Sequence, residues 1–211
     1  YFKTKELRYN TTTRRNSFRG RFSVVSKVFL DCGAHEFQGL RQFIDILGID
    51  EDWRVHSFEA NPITSGRAAE HIDKAWKFHH VFHNCAIGTR DGKVTFMGEY
   101  CNYQEAGVPD SQGSRISDNW HPGIYSETSK GAGDGITSRE FKVDMIDFPK
   151  FIRDTFSKDD EIYIKMDVEG SEFDILEELV KDFPPQIKVM YVEWHERFFP
   201  NAPYMHHRRK L

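Results

Sequence analysis

Four short apolar runs carry an acidic residue at or next to their ends: "KVFLD" (27–31), "RVHSFE" (54–59), "IYIKMD" (162–167) and "IKVMYVEW" (187–194). Runs of this length, rich in Val, Ile, Phe and Tyr, predict strands buried on both faces. Helical patterns lie between them. Leu40, Phe43, Ile44 and Leu47 recur along one helix face, and Gly48 follows as a stop. Phe173, Leu176 and Val180, flanked by Ile175 and Leu179, predict another amphipathic helix. Phe148, Phe151 and Ile152 predict a third, opened by Asp147 and Pro149. "HHVFHNCAIG" (79–88) reads as one further strand with polar insertions. Strands alternating with helices predict an α/β fold, doubly wound around a mostly parallel sheet with helices on both faces. "KVTFM" (93–97) and "REFKVDM" (139–145) are expected to add an antiparallel edge.

In an open parallel sheet the ligand crevice lies beyond the carboxyl ends of the strands. What each run ends in therefore matters. The first runs into Asp31, Gly33 and Ala34. Gly33 lets backbone approach a ligand closely, and Ala34 keeps the turn tight. Neither GxGxxG nor GxxxxGK[ST] occurs, so no pyrophosphate cradle or P-loop is specified. The second ends in "SFEANP", placing Glu59 where a carboxylate accepts both hydroxyls of a ribose, and Pro62 opens the next helix. Asn84 and the backbone near Cys85 and Ala86 can border an adenine.

"IYIKMDVEGSEFDIL" then sets Lys165, Asp167, Glu169 and Glu172 at the end of what reads as a central strand. Gly170 permits a sharp turn. Lys165 shares a side with Asp167 and reads either as a structural ion pair or as a site group. Glu172 falls in the first helical turn, where a carboxylate complements the dipole. Glu193 and His195 leave the last run pointing the same way. Asp167, Glu169, Glu193 and His195 are therefore the candidate acid–base groups. His195 reads equally as a surface histidine past the last strand. Asp167, Glu169 and Glu193 also offer an oxygen-rich set for a divalent cation such as Mg²⁺, and an added imidazole would admit Mn²⁺.

A chain of 211 residues with 18 Phe suits one domain with a full core. No run of 18 apolar residues occurs, so no membrane span is expected. A net charge of −4 gives no general pull toward nucleic acid. Cys32, Cys85 and Cys101 form no zinc spacing and no disulfide framework, which fits a reducing, cytoplasmic setting. Residues 1–26 are a basic flank, either solvated or an anion-binding arm, and "HHRRKL" at the other end is basic too. The chain begins without Met and is expected to be a domain of a longer protein, with the folded unit over 27–211. Residues 98–138 are rich in Gly, Ser, Pro and Asp and lack periodicity. A loop this long reads as a substrate lid or a flexible insertion. As a lid it would offer Ser114 and Arg115 for polar contacts and Trp120, His121 and Tyr125 for stacking on a sugar ring.

Together, "FLDCGAHEFQG", "SFEANP", "HNCAIG", "FKVDMID" and "IYIKMDVEGSEFDIL" resemble the FkbM-type methyltransferases, class I enzymes with a Rossmann-like fold that use S-adenosyl-L-methionine. The resemblance runs from Val28 to Trp194, and its most specific part is K-x-D-x-E-G-x-E. It implies that Asp31, Gly33, Ala34 and His35 surround the methionine part of the cofactor. It also implies Glu59 on the ribose, Asn84 and Cys85 beside the adenine, and Asp167 near the transferable methyl. The expected activity is O-methylation of a hydroxyl on a sugar, glycan or related natural product. Two other readings stay open: an RNA or cap methyltransferase, prompted by the basic termini, and a nucleotide-binding module without turnover.

Overall fold

The computed structural model describes residues 25–74, 76–101, 115–116 and 136–195. In chain order the elements are β1 (Lys27–Cys32), α1 (Gln38–Leu47), β2 (Trp53–Phe58), α2 (Pro62–Glu70), β3 (His79–His83) and β4 (Ala86–Gly88). They continue with β5 (Gly92–Cys101), β6 (Arg115–Ile116), β7 (Ile136–Asp147), α3 (Phe148–Thr155), β8 (Glu161–Met166), α4 (Glu172–Lys181) and β9 (Ile187–Val192).

The expected buried runs form one sheet in the order β3-β2-β1-β8-β9, with every pairing parallel. The register sets Asp31 between Ser57 and Lys165, and Cys32 between Phe58 and Met166, so the carboxyl ends of β2, β1 and β8 are level. Strand order reverses beside β1, which makes the β1–β8 junction the switch point where a ligand crevice opens.

Pleating distributes β1 between two cores. Val28, Leu30 and Cys32 pack with Ile162, Ile164, Phe148, Ile152, Ile175 and Leu179 on one side. Phe29 packs with Phe37, Leu40, Trp53, Val55 and Ala68 on the other. Phe29, Phe58, Phe148 and Phe173 are all but fully buried, each contributing roughly 2 kcal/mol by removal from water.

The helix signals act locally as expected. Gly48 ends α1 at φ 63. The Asn61 side chain accepts from the Ile63 and Thr64 N–H groups at the start of α2, with Pro62 in first position. Asp147 caps α3 through the Lys150 N–H. In α4 the inward face is Phe173, Ile175 and Leu179, while Val180 of the expected stripe is 49% exposed.

Two expectations are refined. The strand read over 79–88 is two strands: β3 ends at His83, and β4 joins a second sheet of order β4-β7-β5-β6. The antiparallel pairs expected at the sheet edge belong to this second sheet, where β5 and β7 pair from Gly92–Met145 to Cys101–Ile136. The segment read as a loop over 98–138 thus has strand at both ends, and Arg115–Ile116 pairs with β5 as well. Residues 1–24 of the basic flank expected over 1–26 lie outside the described residues.

Histidines line both faces where β2 meets β3. His56 Nδ1 and His83 Nε2 are 3.0 Å apart, and both rings pack against Phe151. His80 Nε2 meets Ser57 Oγ at 2.9 Å on the other face. Burial pushes His56 down to about 3, helped by the charges of His83 and Arg54. Burial likewise pushes His80 and His83 down to about 4.

Candidate active site at the carboxyl ends of the parallel strands

The loop after β1 leans over β2. The Gly33 and Ala34 N–H groups both donate to the Phe58 carbonyl, at 3.1 and 2.8 Å. Glu59 joins the two loops through its carboxylate: Oε2 accepts from the His35 N–H at 2.8 Å and Oε1 from the Asn61 N–H at 2.7 Å. Each oxygen retains a lone pair for a ligand hydroxyl. Burial pushes the Glu59 carboxyl up, and the two N–H bonds partly offset this. Asp31, Gly33, Ala34, His35 and Glu59 are thus brought together. The loop is bent hard, with Gly33 at φ 76, His35 at φ 48 and Phe37 at φ 66. Two non-glycine residues in the left-handed region mark stored strain of the kind found at ligand clamps.

Lys165 fastens this loop to the turn after β8. Its ammonium donates to the Gly33 carbonyl at 2.6 Å and the Cys32 carbonyl at 3.4 Å. It stands 3.6 Å from Asp31 Oδ1 and 3.2 Å from Asp167 Oδ2. Asp31 is fully buried, so desolvation pushes its carboxyl up, and Lys165 counters that. Desolvation would lower the Lys165 ammonium, but Asp31 and Asp167 outweigh it and the net shift is upward. The lysine is therefore both an ion-pair partner and part of the crevice wall. The loops meet so closely that a Cβ on Gly33 would lie 1.8 Å from the Asp167 carbonyl oxygen.

The turn continues through Glu169 at φ 52 and Gly170 at φ 106. Glu172 opens α4 as expected, but its carboxylate is fully buried and turns back toward β9. It accepts from the Gly170 N–H (2.8 Å), the His195 N–H (2.7 Å) and His195 Nδ1 (3.1 Å). His195 is 1% exposed and so is no surface histidine. Its Nε2 lies 3.4 Å from Glu169 Oε2, 3.6 Å from Glu193 Oε1 and 3.7 Å from Asp167 Oδ1. A neutral ring bonded to Glu172 through Nδ1–H would aim the Nε2 lone pair at three carboxylates. An imidazolium, with an N–H at each end, suits the surroundings. Burial alone would lower the ring's pKa, but the bond to Glu172 and the charges of Glu169, Glu172 and Asp167 raise it.

The crevice is therefore bordered by Asp167, whose side chain is 30% exposed, and Glu193, at 60%, with His195 behind them. Donor atoms of Asp167, Glu193 and His195 lie within 4.8 Å of one another. That spacing suits a divalent cation, with His195 in the place sequence reasoning gave to Glu169. Such an ion would first have to displace the Nε2 proton.

Asn84 is exposed and Cys85 half-buried in the link between β3 and β4. The Glu59 N–H donates to the His83 carbonyl at 3.0 Å, which sets this link beside the Glu59 corner. Cys85 packs against the core, and burial pushes its thiol up to about 12. Ser114, Trp120, His121 and Tyr125 lie outside the described residues; Arg115 is placed only by its backbone, paired with Met97. Sequence reasoning gave no site role to Glu172 or Asn61. Their only local signals, a Glu in a first turn and an Asn before Pro, are those of ordinary caps.

Among solved structures, the chain is similar to the crystal structure of Methyltransferase FkbM from Methylobacillus flagellatus KT. The two are 15% identical with a TM-score of 0.46, and the match covers 88% of this chain and 37% of that one. The chain thus spans little more than a third of that protein's length. No curated protein matches. The Methyltransferase FkbM domain matches residues 31–211, from the buried aspartate of the first strand onward, and the chain belongs to that family of methyltransferases.

Proposed function

We propose that the chain is an S-adenosylmethionine-dependent O-methyltransferase acting on a hydroxyl of a sugar, glycan or related natural product. The observation that carries this reading is the double engagement of Asp167. One of its oxygens pairs with the Lys165 that fastens the Gly33 loop, and the other faces the Glu169–Glu193–His195 group. Family membership supplies the methyl-transfer chemistry.

S-Adenosylmethionine supplies a methyl group on a sulfonium, which is already a good leaving group. Asp31, Lys165, Gly33, Ala34 and His35 would hold its methionine end, Glu59 the ribose, and Asn84 with Cys85 the adenine side. When bound, the cofactor would supply an electrophilic methyl for the acceptor oxygen, with its sulfur leaving as a neutral thioether. The hydroxyl proton passes to Asp167. Alignment and proton removal are the protein's contributions. Glu169 and Glu193 accept hydrogen bonds from neighbouring hydroxyls of the acceptor. Ser114, Arg115, Trp120, His121 and Tyr125 are assigned to acceptor contact. The acidic mouth argues against a phosphodiester polyanion such as RNA. The free thiols of Cys32 and Cys85 accord with a reducing cytoplasm. No helix among the described residues is long and apolar enough to cross a membrane.

Asp167→Asn keeps the size of the side chain and removes the base. It is expected to lower transfer of labelled methyl to a hydroxyl acceptor by roughly 10²-fold or more, while S-adenosylhomocysteine affinity stays within several-fold. Undiminished transfer would remove Asp167 from the role. Binding without transfer by the wild-type chain to any hydroxyl acceptor would favour the nucleotide-binding module. Under this reading transfer survives chelation; loss restored by Mg²⁺ would assign the carboxylates to a cation.

A further inference from the structure

We infer that Glu172 and His195 are positioning residues, a buried carboxylate–imidazole pair that holds Asp167 and Glu169 in place at the acceptor side of the crevice. The inference rests on the methyltransferase reading above and gives these two residues a defined part in it. His195 is 1% exposed, so it acts through its neighbours and not by contact with an acceptor. Its ring is fixed at one end, where Nδ1 meets Glu172 Oε1 at 3.1 Å and the backbone N–H meets the same oxygen at 2.7 Å. The other end faces the acidic groups of two elements: Asp167 and Glu169 from the turn after β8, and Glu193 from the segment after β9. Lys165 occupies the far oxygen of Asp167 and leaves Oδ1 to the imidazole. The other Glu172 oxygen holds the Gly170 N–H at 2.8 Å, in the turn that carries Asp167 and Glu169. One carboxylate therefore ties the turn to the last strand, and one ring gathers the carboxylates that protrude from it.

Two substitutions at His195 separate the two ends of the ring. In His195→Asn the amide occupies the place of Nδ1 and keeps the Glu172 contact, while the group that Nε2 presents to Asp167 and Glu169 is lost. In His195→Gln the amide reaches the place of Nε2 and donates to those carboxylates. The full chain is assayed for kcat with a hydroxyl acceptor, and its S-adenosylhomocysteine affinity is measured by calorimetry. Expected is a fall in kcat of roughly 10–100-fold for His195→Asn, a clearly smaller one for His195→Gln, and affinity unchanged within about threefold in both. Equal losses in both variants, or a loss carried by cofactor affinity, would overturn the inference, since a merely structural histidine has no reason to prefer glutamine. If neither variant folds, nitrogen-15 histidine NMR of the wild-type chain decides. A protonated Nδ1, whose attached proton resonates downfield through its bond to carboxylate, supports the pair, and an unprotonated Nδ1 refutes it. Failure of the methyltransferase reading is separately visible, as a wild-type chain that neither binds S-adenosylhomocysteine nor transfers methyl.

Discussion

Gly33→Ala is expected to abolish measurable binding of S-adenosylhomocysteine. The backbone there stands at φ 76, and the added methyl would meet the Asp167 carbonyl oxygen at 1.8 Å. The obstacle is backbone, not the end of a flexible side chain, so one of the two loops must move. Strain from the left-handed conformation adds about 1 kcal/mol. Displacement of Gly33 also breaks the Lys165 contact to its carbonyl and the paired N–H bonds to Phe58. These bonds set the entrance to the Glu59 corner, so the Gly33 loop and the Glu59 corner deform together. Calorimetry should show affinity weakened by roughly 100-fold or more, with a melting point lower by several degrees. Gly66→Ala is the control: it lies inside α2 and its Cβ would meet nothing within 4 Å. That change should leave binding intact and stabilise the helix by about 0.5–1 kcal/mol. A Gly33→Ala protein with normal affinity would show that the loop contact does not shape the site.

Acid is expected to unfold the chain in a window set by the buried histidines. His56 is held near 3, and His80 and His83 near 4, against 6.5 for the unfolded chain. Below pH 6.5 the unfolded chain takes up protons that the folded chain refuses. The contribution of these three rings is therefore full above 6.5 and is lost as pH falls toward 4, while the raised His195 contributes below 6.5 and is lost only on the alkaline side. Each pKa unit corresponds to about 1.4 kcal/mol, so three such groups remove several kcal/mol, a large share of a typical domain's stability of about 5–15 kcal/mol. Asp31 and Glu59 are shifted upward, so the folded chain takes up their protons before the unfolded chain does, which opposes part of this loss as pH falls. The midpoint of urea unfolding should fall steeply between pH 6.5 and 4.5, with a slope approaching three protons. His56→Phe, which fits beside Phe151 and Phe156, should reduce that slope by about one proton. A midpoint flat across the window would contradict neutral burial of these rings.

Much of the parallel sheet was legible because β1 and β2 are buried along nearly their whole length and, with the half-buried β8, read as short, mainly apolar runs. The helix ends at Gly48, Pro62 and Asp147 were legible because caps act within a few residues. Glu59 could be placed because a carboxylate at a strand tip has a position fixed by the strand itself. Sheet membership is different, since it depends on partners far along the chain. "HNCAIG" holds no Gly or Pro ahead of Ala86, so nothing local shows that β3 and β4 join separate sheets. Glu172 illustrates the same limit at the site. A glutamate in a first helical turn looks alike whether it faces solvent or the neighbouring strand. Only the adjacency of β8 and β9 brings His195 to it and buries both. The role of Lys165 depended likewise on the register that sets it beside Asp31.

The most direct test of the account is a calorimetric titration of the wild-type chain with S-adenosylhomocysteine. The arrangement of Asp31, Gly33, Glu59 and Lys165 predicts saturable binding of one molecule per chain. A folded chain that gives no binding signal would contradict the central claim that this crevice is built for S-adenosylmethionine.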